Sequence, residues 1–554
     1  MDTFSMSLLS LIIFIPFLAA GIILLIPQRF TPIFKWVALL STSAQFVLAI
    51  ILIINFDPQL SANSWGEIFQ FVEKKQWILL NLGTLGWLSA EYHVGVDGLS
   101  VWLVVLSALL LVIGVLSSWK VTRRTKGYFF LYIMLSSTIV GCFVALDLML
   151  FYVFFEFMLL PMFFLIGIWG GIRRTYASIK FFLYTLFGSL FILVVFVGLY
   201  LSVSDADLSA KLTEQTGIEQ VVHTFNMVTI LDGNYDNGAI LSPNTGFEIA
   251  GIPMRYWAFL FLVIGFSIKL PIVPVHTWLP DAHVEAPTAI SVLLAGILLK
   301  IGGYGLFRVA YAMFPDGAMH YAQPIAILGL ISIIYGGMNA MAQGDLKRLI
   351  AYSSISHMGF VLLGLATLTS EGINGSMFQM LSHGLISSAL FLIVGVYYDR
   401  TGDRKIENAS GLAIRLPNYT FFTALFFFAS LGLPGMSGFV GELFVLLGAV
   451  GSENSNGLVS SWVGLVAVLG IIISAAYYLW AFQRMFMGRF WLRKPEWEEA
   501  IEDLKPREWI MLVPLGAMVI YFGLFPNVIF DAMSETVRFF TDHILTQGVE
   551  YAPK

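Results

Sequence analysis

The stretch "GFSIKLPIVP", residues 265–274, ends a long apolar run with a lysine, and two prolines follow at once. Lys269 is the only charged residue between Arg255 and Asp281. Proline removes a backbone donor and clashes with the preceding turn, so a helix cannot run straight through this stretch. Unwound backbone at membrane depth is tolerated only where protein or water satisfies its polar groups. The stretch therefore predicts an interrupted membrane helix, with a buried ammonium and water access at the break.

The rest of the chain has the composition of a membrane protein. Of its 554 residues, 58% are hydrophobic and only 12% are charged, whereas soluble domains carry about 25% charged residues. Apolar runs of about 17–25 residues recur along the chain, and each is long enough to cross a bilayer. We therefore predict an all-α, polytopic membrane protein with about fourteen transmembrane helices. The predicted spans are 5–26, 36–55, 99–118, 128–145, 147–169, 177–203, 255–271, 287–311, 322–342, 348–368, 373–398, 418–450, 460–483 and 509–527.

The distribution of basic residues supports this set of spans. If the connections after odd-numbered spans face the cytoplasm, 21 of the 30 Lys and Arg residues lie on that side and seven lie outside. The remaining two, Lys269 and Lys300, lie within spans. An excess of basic residues in cytoplasmic loops is typical of membrane proteins, so we expect both termini outside. The first apolar run has no basic residues before it, which favours a spanning helix over a cleavable signal peptide.

A second predicted span is also interrupted, at "LGLPGMSG", residues 431–438. If spans 4–8 and 9–13 form two five-helix repeats, each break falls in the fourth helix of its repeat. Five is an odd number, so the second repeat is inverted relative to the first. Broken helices at matching positions of inverted repeats indicate the ion pathway of a transporter. The predicted sections are 1–126 with spans 1–3, 127–315 and 316–490 with one repeat each, and 491–554 with span 14 and the tail.

Six ionisable residues lie well inside predicted spans. They are Glu156, Lys269, Lys300, His357, His383 and Glu442. A charge at mid-bilayer costs at least about 2.5–3.5 kcal/mol on insertion scales, so such residues are usually functional. Carboxylates and lysines placed together can exchange a proton, and histidine can link them because it titrates near neutral pH. We predict a proton relay. The alternative, that these residues are only packing or helix-pairing groups, stays open, above all for the two histidines.

The sequence offers little support for a metal or a cofactor in this chain. The segment "HTWLPDAHVEAP", residues 276–287, contains two histidines and two carboxylates, but their spacing matches no standard metal site. We expect a polar network that caps the broken helix instead. The only cysteine, Cys142, excludes an internal disulfide and argues against iron–sulfur ligation. No nucleotide-binding fingerprint is present.

Four motifs resemble those of one family. They are "KLPIVPVHTWLPDAH" (269–283), "LLAGILLKIGGYG" (293–305), "DLKRLIAYSSISHMG" (345–359) and "GLPGMSGFVGE" (432–442). They resemble the antiporter-like subunits of respiratory complex I, the proton-pumping NADH:quinone oxidoreductase. The resemblance covers nearly the whole chain and is best with the M-type chain, called subunit 4 in mitochondria.

This resemblance implies a role for each of the six residues. Glu156 would pair with Lys269, and Lys300 would connect that pair to a histidine link, with an exit-side proton site at the far end. The link would be His357 with His383, and the exit site would be Glu442. The L-type and N-type chains and the related sodium/proton antiporter subunits typically carry lysine at this last position, so the glutamate favours the M-type.

The resemblance also implies partners and a location. Flavin, iron–sulfur clusters and quinone would be bound by partner subunits, which include sister antiporter-like chains. We expect contact with the lipid bilayer, no nucleic acid, and a place in a bacterial cytoplasmic membrane rather than the mitochondrial inner membrane. The alternatives are a subunit of a cation/proton antiporter complex and a stand-alone solute carrier. The predicted outside loop 204–254 looks longer than usual for the family, and the sequence suggests no function for it.

Overall fold

The computed structural model describes residues 8–60, 62, 64–83, 86–236, 238–243 and 247–551. The start of predicted span 5–26, at residues 5–7, and the chain ends 1–4 and 552–554 lie outside this part. The described residues contain twelve helices that are long and apolar enough to cross a membrane, which confirms a mainly helical, multi-span protein. Each overlaps one predicted span. These helices are Leu8–Leu25, Thr31–Ile54, Gly98–Lys120, Thr125–Val144, Leu148–Trp169, Arg174–Tyr200, Thr288–Tyr311, Ala322–Met341, Leu346–Ala366, Ser370–Thr401, Ser461–Phe486 and Pro506–Leu524.

The two remaining predicted spans are pairs of shorter helices, broken where the sequence predicts. The first broken helix consists of Met254–Lys269 and Trp278–Glu285. The second consists of Pro417–Ser430 and Ser437–Ser455. Each break follows from local chemistry. Prolines stop the first helix directly after its lysine, and glycines with positive φ turn the chain within the second break.

The span that carries Glu156 is also interrupted. It is built as Leu148–Phe157 and Leu159–Trp169, with Met158 in a turn between them. Pro161 has no N–H to donate to the carbonyl of Phe157, which accounts for the interruption. Glu156, the predicted relay carboxylate, therefore lies two residues before the interruption in its helix.

The Lys300 helix, Thr288–Tyr311, contains two widened π-helical segments that the sequence did not predict. They are Leu294–Leu298 and Leu306–Tyr311, on either side of an α-helical segment at Leu299–Gly305. Such widened turns occur mostly as single insertions in α-helices and are frequent at functional sites. The Nζ atom of Lys300 donates to the carbonyl of Ala295, 2.6 Å away within the first segment.

The Lys300 helix packs directly against the break in the first broken helix. A Cβ atom added at Gly302 would lie 2.7 Å from the backbone nitrogen of Leu270 and 2.9 Å from the carbonyl oxygen of Phe266. The two backbones therefore touch, and a glycine is needed at this position of the "GGYG" motif.

A small sheet lies in connections between membrane helices, where the sequence predicted only loops. Its two main strands, Gln70–Asn81 and Trp87–Val96, pair as an antiparallel hairpin. A third strand, Val222–Thr224 from the long 204–254 segment, pairs in parallel with the second strand. The long segment is thus partly accounted for as a cover for the hairpin edge. The remaining short elements are helices at Trp65–Ile68, Ser118–Lys120, Ala206–Thr216, Met227–Leu231, Pro315–His320, Ile406–Asn408, Leu412–Ile414 and Glu496–Ala500, and two-residue strand pairs joining Glu248–Ile249 to Ile252–Pro253 and Ala409–Ser410 to Trp491–Leu492.

A C-terminal helix at Asn527–Glu550 was also not predicted. The backbone N–H of Gly98 donates to the hydroxyl of Thr536 on this helix, at 3.2 Å. The rings of Phe540 and Phe307 stack with their centroids 4.5 Å apart. The C-terminal helix therefore ties the start of the third membrane helix to the C-terminal end of the Lys300 helix.

Buried ion pairs hold the ends of several helices together. The pairs are Asp97 with Arg308, Arg255 with Asp316 and Arg400 with Glu508. All six side chains are at most 7% exposed. Removing one partner of such a pair leaves an uncompensated buried charge, so each pair fixes the packing of the elements it joins.

We predict that Gly302→Ala destabilises the protein by about 1–3 kcal/mol, because the added methyl overpacks a backbone contact. The control is Gly21→Ala, whose added Cβ meets nothing within 4 Å. Native membranes that contain the full-length tagged chain are heated, and the temperature at which half of the folded chain is lost is compared between the two variants. Equal midpoints for the two variants would contradict the close packing at the break.

Candidate functional site

Five of the six predicted relay residues lie deep in the protein. Lys269, Lys300, His357, His383 and Glu442 are each at most 4% exposed. The sixth, Glu156, is only half-buried. Five ionisable side chains thus lie in the apolar interior, where each requires a polar partner or water.

Lys300 and His383 form the central contact of the site. The Nζ atom of Lys300 lies 2.7 Å from Nδ1 of His383, which is on the Ser370–Thr401 helix. The same Nζ atom also bonds the carbonyl of Ala295. Because an ammonium has only donors, the Nδ1 atom of His383 accepts the hydrogen bond when the lysine is charged.

The two histidines lie side by side. The ring centroids of His383 and His357 are 5.5 Å apart. A small cavity of about 10 Å³ lies at the two rings, and Gln379 and Ser430 also line it. By this measure the space is close to that of about one water molecule. One bridging water would complete a hydrogen-bonded path between the imidazoles.

His357 reaches the second broken helix. Its Nδ1 atom lies 3.1 Å from Oε1 of Glu442, at the start of the second half of that helix. Its Nε2 atom lies 3.2 Å from the hydroxyl of Ser430, the last residue of the first half. Gly432, within the break, has a φ of +79°, and a Cβ atom there would lie 2.8 Å from Oε2 of Glu442. The break therefore needs glycine for both its backbone conformation and its space.

The sequence did not single out four polar side chains near the histidine link, of which Gln379 and Ser430 contact His357 directly and the other two extend the network from Ser430. These are Ser353, Gln379, Ser430 and Tyr478. Ser430 donates to the hydroxyl of Tyr478 at 2.8 Å, and Ser353 also contacts that hydroxyl at 2.8 Å. One signal was available, because Gln379 lies four residues before His383 and so shares its helix face.

Lys269 has a different environment from Lys300. Its Nζ atom lies 4.0 Å from the centroid of the Phe155 ring. Within the described part of the chain, Nζ has no hydrogen-bond partner and no ion pair within 4.0 Å joins it to Glu156. The Oε1 atom of Glu156 is also without a partner there, and its carboxyl group interacts with the hydroxyl of Ser189. The pair implied by the family resemblance is thus not in direct contact in this structure.

In the segment at residues 276–287, the two carboxylates form polar contacts as the sequence predicts, whereas both ring nitrogens of His283 have no hydrogen-bond partner among the described residues. Asp281 pairs with Lys180 at 2.7 Å, and Oε2 of Glu285 accepts from the backbone N–H of Arg173 at 2.8 Å. His283 is fully buried and stacks on Phe391 with ring centroids 4.5 Å apart. These contacts anchor the second half of the first broken helix to the start of the neighbouring Arg174–Tyr200 helix.

The arrangement as a whole can carry a proton laterally within the membrane. Four side chains in succession can each bind and release a proton. They are, in order, Lys300, His383, His357 and Glu442. The first two side chains share a hydrogen bond, a gap the size of one water separates the two histidines, and the second histidine lies in close contact with the glutamate. The path runs from the helix packed against the first break to the second break.

Comparisons with known proteins show the family of the chain. Residues 145–470 match the family described as NADH:quinone oxidoreductase/Mrp antiporter, transmembrane. The chain is 40% identical to NADH-quinone oxidoreductase subunit M of Rhodobacter capsulatus, with 96% of each chain covered. It is 36% identical to NADH-ubiquinone oxidoreductase chain 4 of Arabidopsis thaliana, with 97% of each covered.

Two solved structures share the fold. A chain of respiratory complex I from Thermus thermophilus, solved with bound NADH, superposes with a TM-score of 0.77 at 28% identity and covers 97% of this chain and 99% of that one. A chain of the Mrp complex from a Dietzia species has a TM-score of 0.76 at 20% identity and covers 99% of both chains. The second likeness concerns the fold alone.

We predict that the contact between His357 and Glu442 is energetically coupled. His357→Leu leaves a buried carboxyl without its partner, so the double variant with Glu442→Gln should lose less stability than the two single losses together, by about 0.5–3 kcal/mol. Thermal unfolding of the full-length chain in native membranes measures the coupling. As a control, His357→Leu combined with Thr42→Ala, at a buried but distant site, should be additive. Additivity in both pairs would mean that the contact carries no coupling.

Proposed function

The chain belongs to the NADH:quinone oxidoreductase/Mrp antiporter transmembrane family, and on this basis we propose that it is a proton-translocating membrane subunit of an NADH:quinone oxidoreductase. Quinone reduction elsewhere in the complex would drive proton transfer through its buried residues. The observation that carries the proposal is the contact series from Lys300 through His383 and His357 to Glu442. A purely structural role gives no reason to place four titratable side chains in succession inside a membrane.

The proposed transfer begins at the break in the first broken helix. Lys269 takes up a proton there, where the unwound backbone gives water a route inward. Lys300, on the helix packed against that break, passes a proton from Nζ to Nδ1 of His383. The imidazolium of His383 releases a proton from Nε2 through water to His357. His357 then protonates Glu442, which exchanges its proton with the outer aqueous phase.

The driving chemistry is assigned to partner subunits. Flavin, iron–sulfur clusters and quinone belong to other chains of the complex, and this chain, with its single cysteine, carries no redox centre of its own. Its partners are other membrane subunits, including sister antiporter-like chains, and lipid. Its location is a bacterial cytoplasmic membrane, which fits its relatives being from the bacteria Rhodobacter and Rickettsia.

The four predicted sections fit this function. Residues 127–315 and 316–490 act as inverted five-helix repeats, each contributing one broken helix to the relay. Residues 1–126 and 491–554 flank them, and contacts such as the one between Gly98 and Thr536 join these flanks on the outer side. The support for this division is that the two breaks lie at the two ends of one contact series.

A second candidate is a subunit of a cation/proton antiporter complex, since the family includes the Mrp antiporters. Glutamate at position 442 favours the first candidate, because the resemblance implies lysine there in the antiporters. Copurification decides between them. A partner with flavin and iron–sulfur centres supports the oxidoreductase, whereas sodium-dependent transport without NADH oxidation supports the antiporter.

We predict that Lys269→Ala abolishes or severely reduces proton pumping and coupled quinone reduction while the complex still assembles. The reason is that the variant removes the buried ammonium at the end of the helix that leads into the first break. Glu156→Ala should behave similarly, and Glu156→Asp should retain part of the activity because the charge survives with a shorter reach.

The assay is NADH-driven proton uptake by inverted membrane vesicles, with assembly checked by native electrophoresis. Lys211→Ala, at an exposed position of the outer segment, is the matched control and should pump normally. Near-normal pumping by an assembled Lys269→Ala complex would remove this lysine from the pathway.

A further inference from the structure

Lys269 has an aromatic ring as its close neighbour. Its Nζ atom lies 4.0 Å from the centroid of the Phe155 ring, well within the range of about 6 Å in which a cation is attracted to a ring face. The lysine is 2% exposed and the phenylalanine 1% exposed. In the described part of the chain, this ammonium has no hydrogen-bond partner. The contact with the ring is therefore not a by-product of a stronger polar contact.

The orientation of the Phe155 ring is fixed by its neighbours. Phe266, one turn before Lys269 on the same helix, meets the ring edge-to-face with centroids 6.0 Å apart. Phe151, one turn earlier on the Phe155 helix, stacks on it with centroids 5.7 Å apart. Both helices therefore hold the ring in place, with its face available to the ammonium.

Few other charged or titratable groups act on Lys269. Glu156 and Cys142 are its electrostatic neighbours, on the Leu148–Phe157 and Thr125–Val144 helices. The carboxyl group of Glu156 interacts with Ser189. The ammonium of Lys300, on the helix packed against the break, is directed to His383. The ring of Phe155, with its centroid 4.0 Å from Nζ, therefore lies directly against the Lys269 ammonium.

We propose that Phe155 is a positioning residue that holds Lys269 in its protonated form inside the membrane and so sets how readily this lysine releases its proton. The inference rests on the proposed role of Lys269 in proton translocation. A ring face attracts the ammonium through its quadrupole and has no comparable attraction for a neutral amine. The ring therefore stabilises one protonation state without accepting a proton itself, and it leaves the carboxylate of Glu156 free for its own step.

The test compares Phe155→Leu with Phe151→Leu in the assembled complex. Both variants remove a buried ring from the same helix and the same aromatic cluster, but only Phe155 contacts the ammonium. NADH-driven proton pumping by membrane vesicles is measured across pH. For Phe155→Leu we expect the alkaline limb of the profile to move to lower pH by about half a unit or more, because the protonated lysine loses its partner. For Phe151→Leu we expect a clearly smaller shift, because the Phe155 ring itself stays against the ammonium and keeps its contact with Phe266.

A second replacement keeps the shape of the ring. Trifluorophenylalanine introduced at position 155 by codon suppression preserves packing but withdraws electron density from the ring face. It should shift the limb in the same direction by a smaller amount. This variant keeps the proposal testable if the leucine variant fails to assemble.

Three results would overturn the proposal. They are an unshifted profile in both Phe155 variants, an equal shift in Phe151→Leu, and a shift to higher pH, which would mean that the ring keeps the ammonium away from a stronger partner. The proposed function fails separately, through normal pumping by Lys269→Ala, so the two failures can be told apart.

Discussion

A charged side chain inside a bilayer must have a partner, and the hydrogen bond between Lys300 and His383 is the contact that meets this requirement at the centre of the protein. It requires the widened turn that places the Ala295 carbonyl within reach of Nζ. It also depends on the close approach of the helix that carries His383, where a Cβ atom at Gly384 would lie 3.0 Å from the carbonyl oxygen of Gly296. From this contact the path continues through His357 to the second break. The unusual helix geometry thus clusters around one buried ammonium.

The two lysines differ in how their ammonium groups are accommodated. Lys300 is held by a carbonyl and an imidazole, both of which can accept hydrogen bonds. Lys269 lies over the ring of Phe155 with no acceptor among the described residues. An acceptor such as His383 can take a proton onward, whereas an aromatic face can only stabilise the charged form. The geometry suits Lys300 for transfer and Lys269 for holding a proton until another group receives it.

The sequence predicted the features that depend on local chemistry. Both breaks followed from prolines and glycines, and the buried site residues stood out because charges are rare in apolar runs. The contact between Lys300 and His383 could not be predicted, since 83 residues separate them and only the packing of two helices brings them together. The C-terminal helix Asn527–Glu550 was missed because it is too polar for an apolar run. The outer hairpin was missed because its strands Gln70–Asn81 and Trp87–Val96 lie between apolar spans and carry many polar residues.

The central claim is that the buried series delivers protons to the outer phase through Glu442. The most direct test compares Glu442→Gln with Glu442→Lys in assembled complex, by counting the protons moved per NADH oxidised in sealed vesicles. Gln keeps the shape and the hydrogen bonding of the glutamate but cannot cycle a proton, whereas Lys remains titratable beside His357. The relay predicts that Gln is severely impaired and that Lys retains more pumping. If Gln pumps better than Lys, the glutamate is structural and the proposed exit is wrong, because Gln is the closer mimic and an added buried cation is costly.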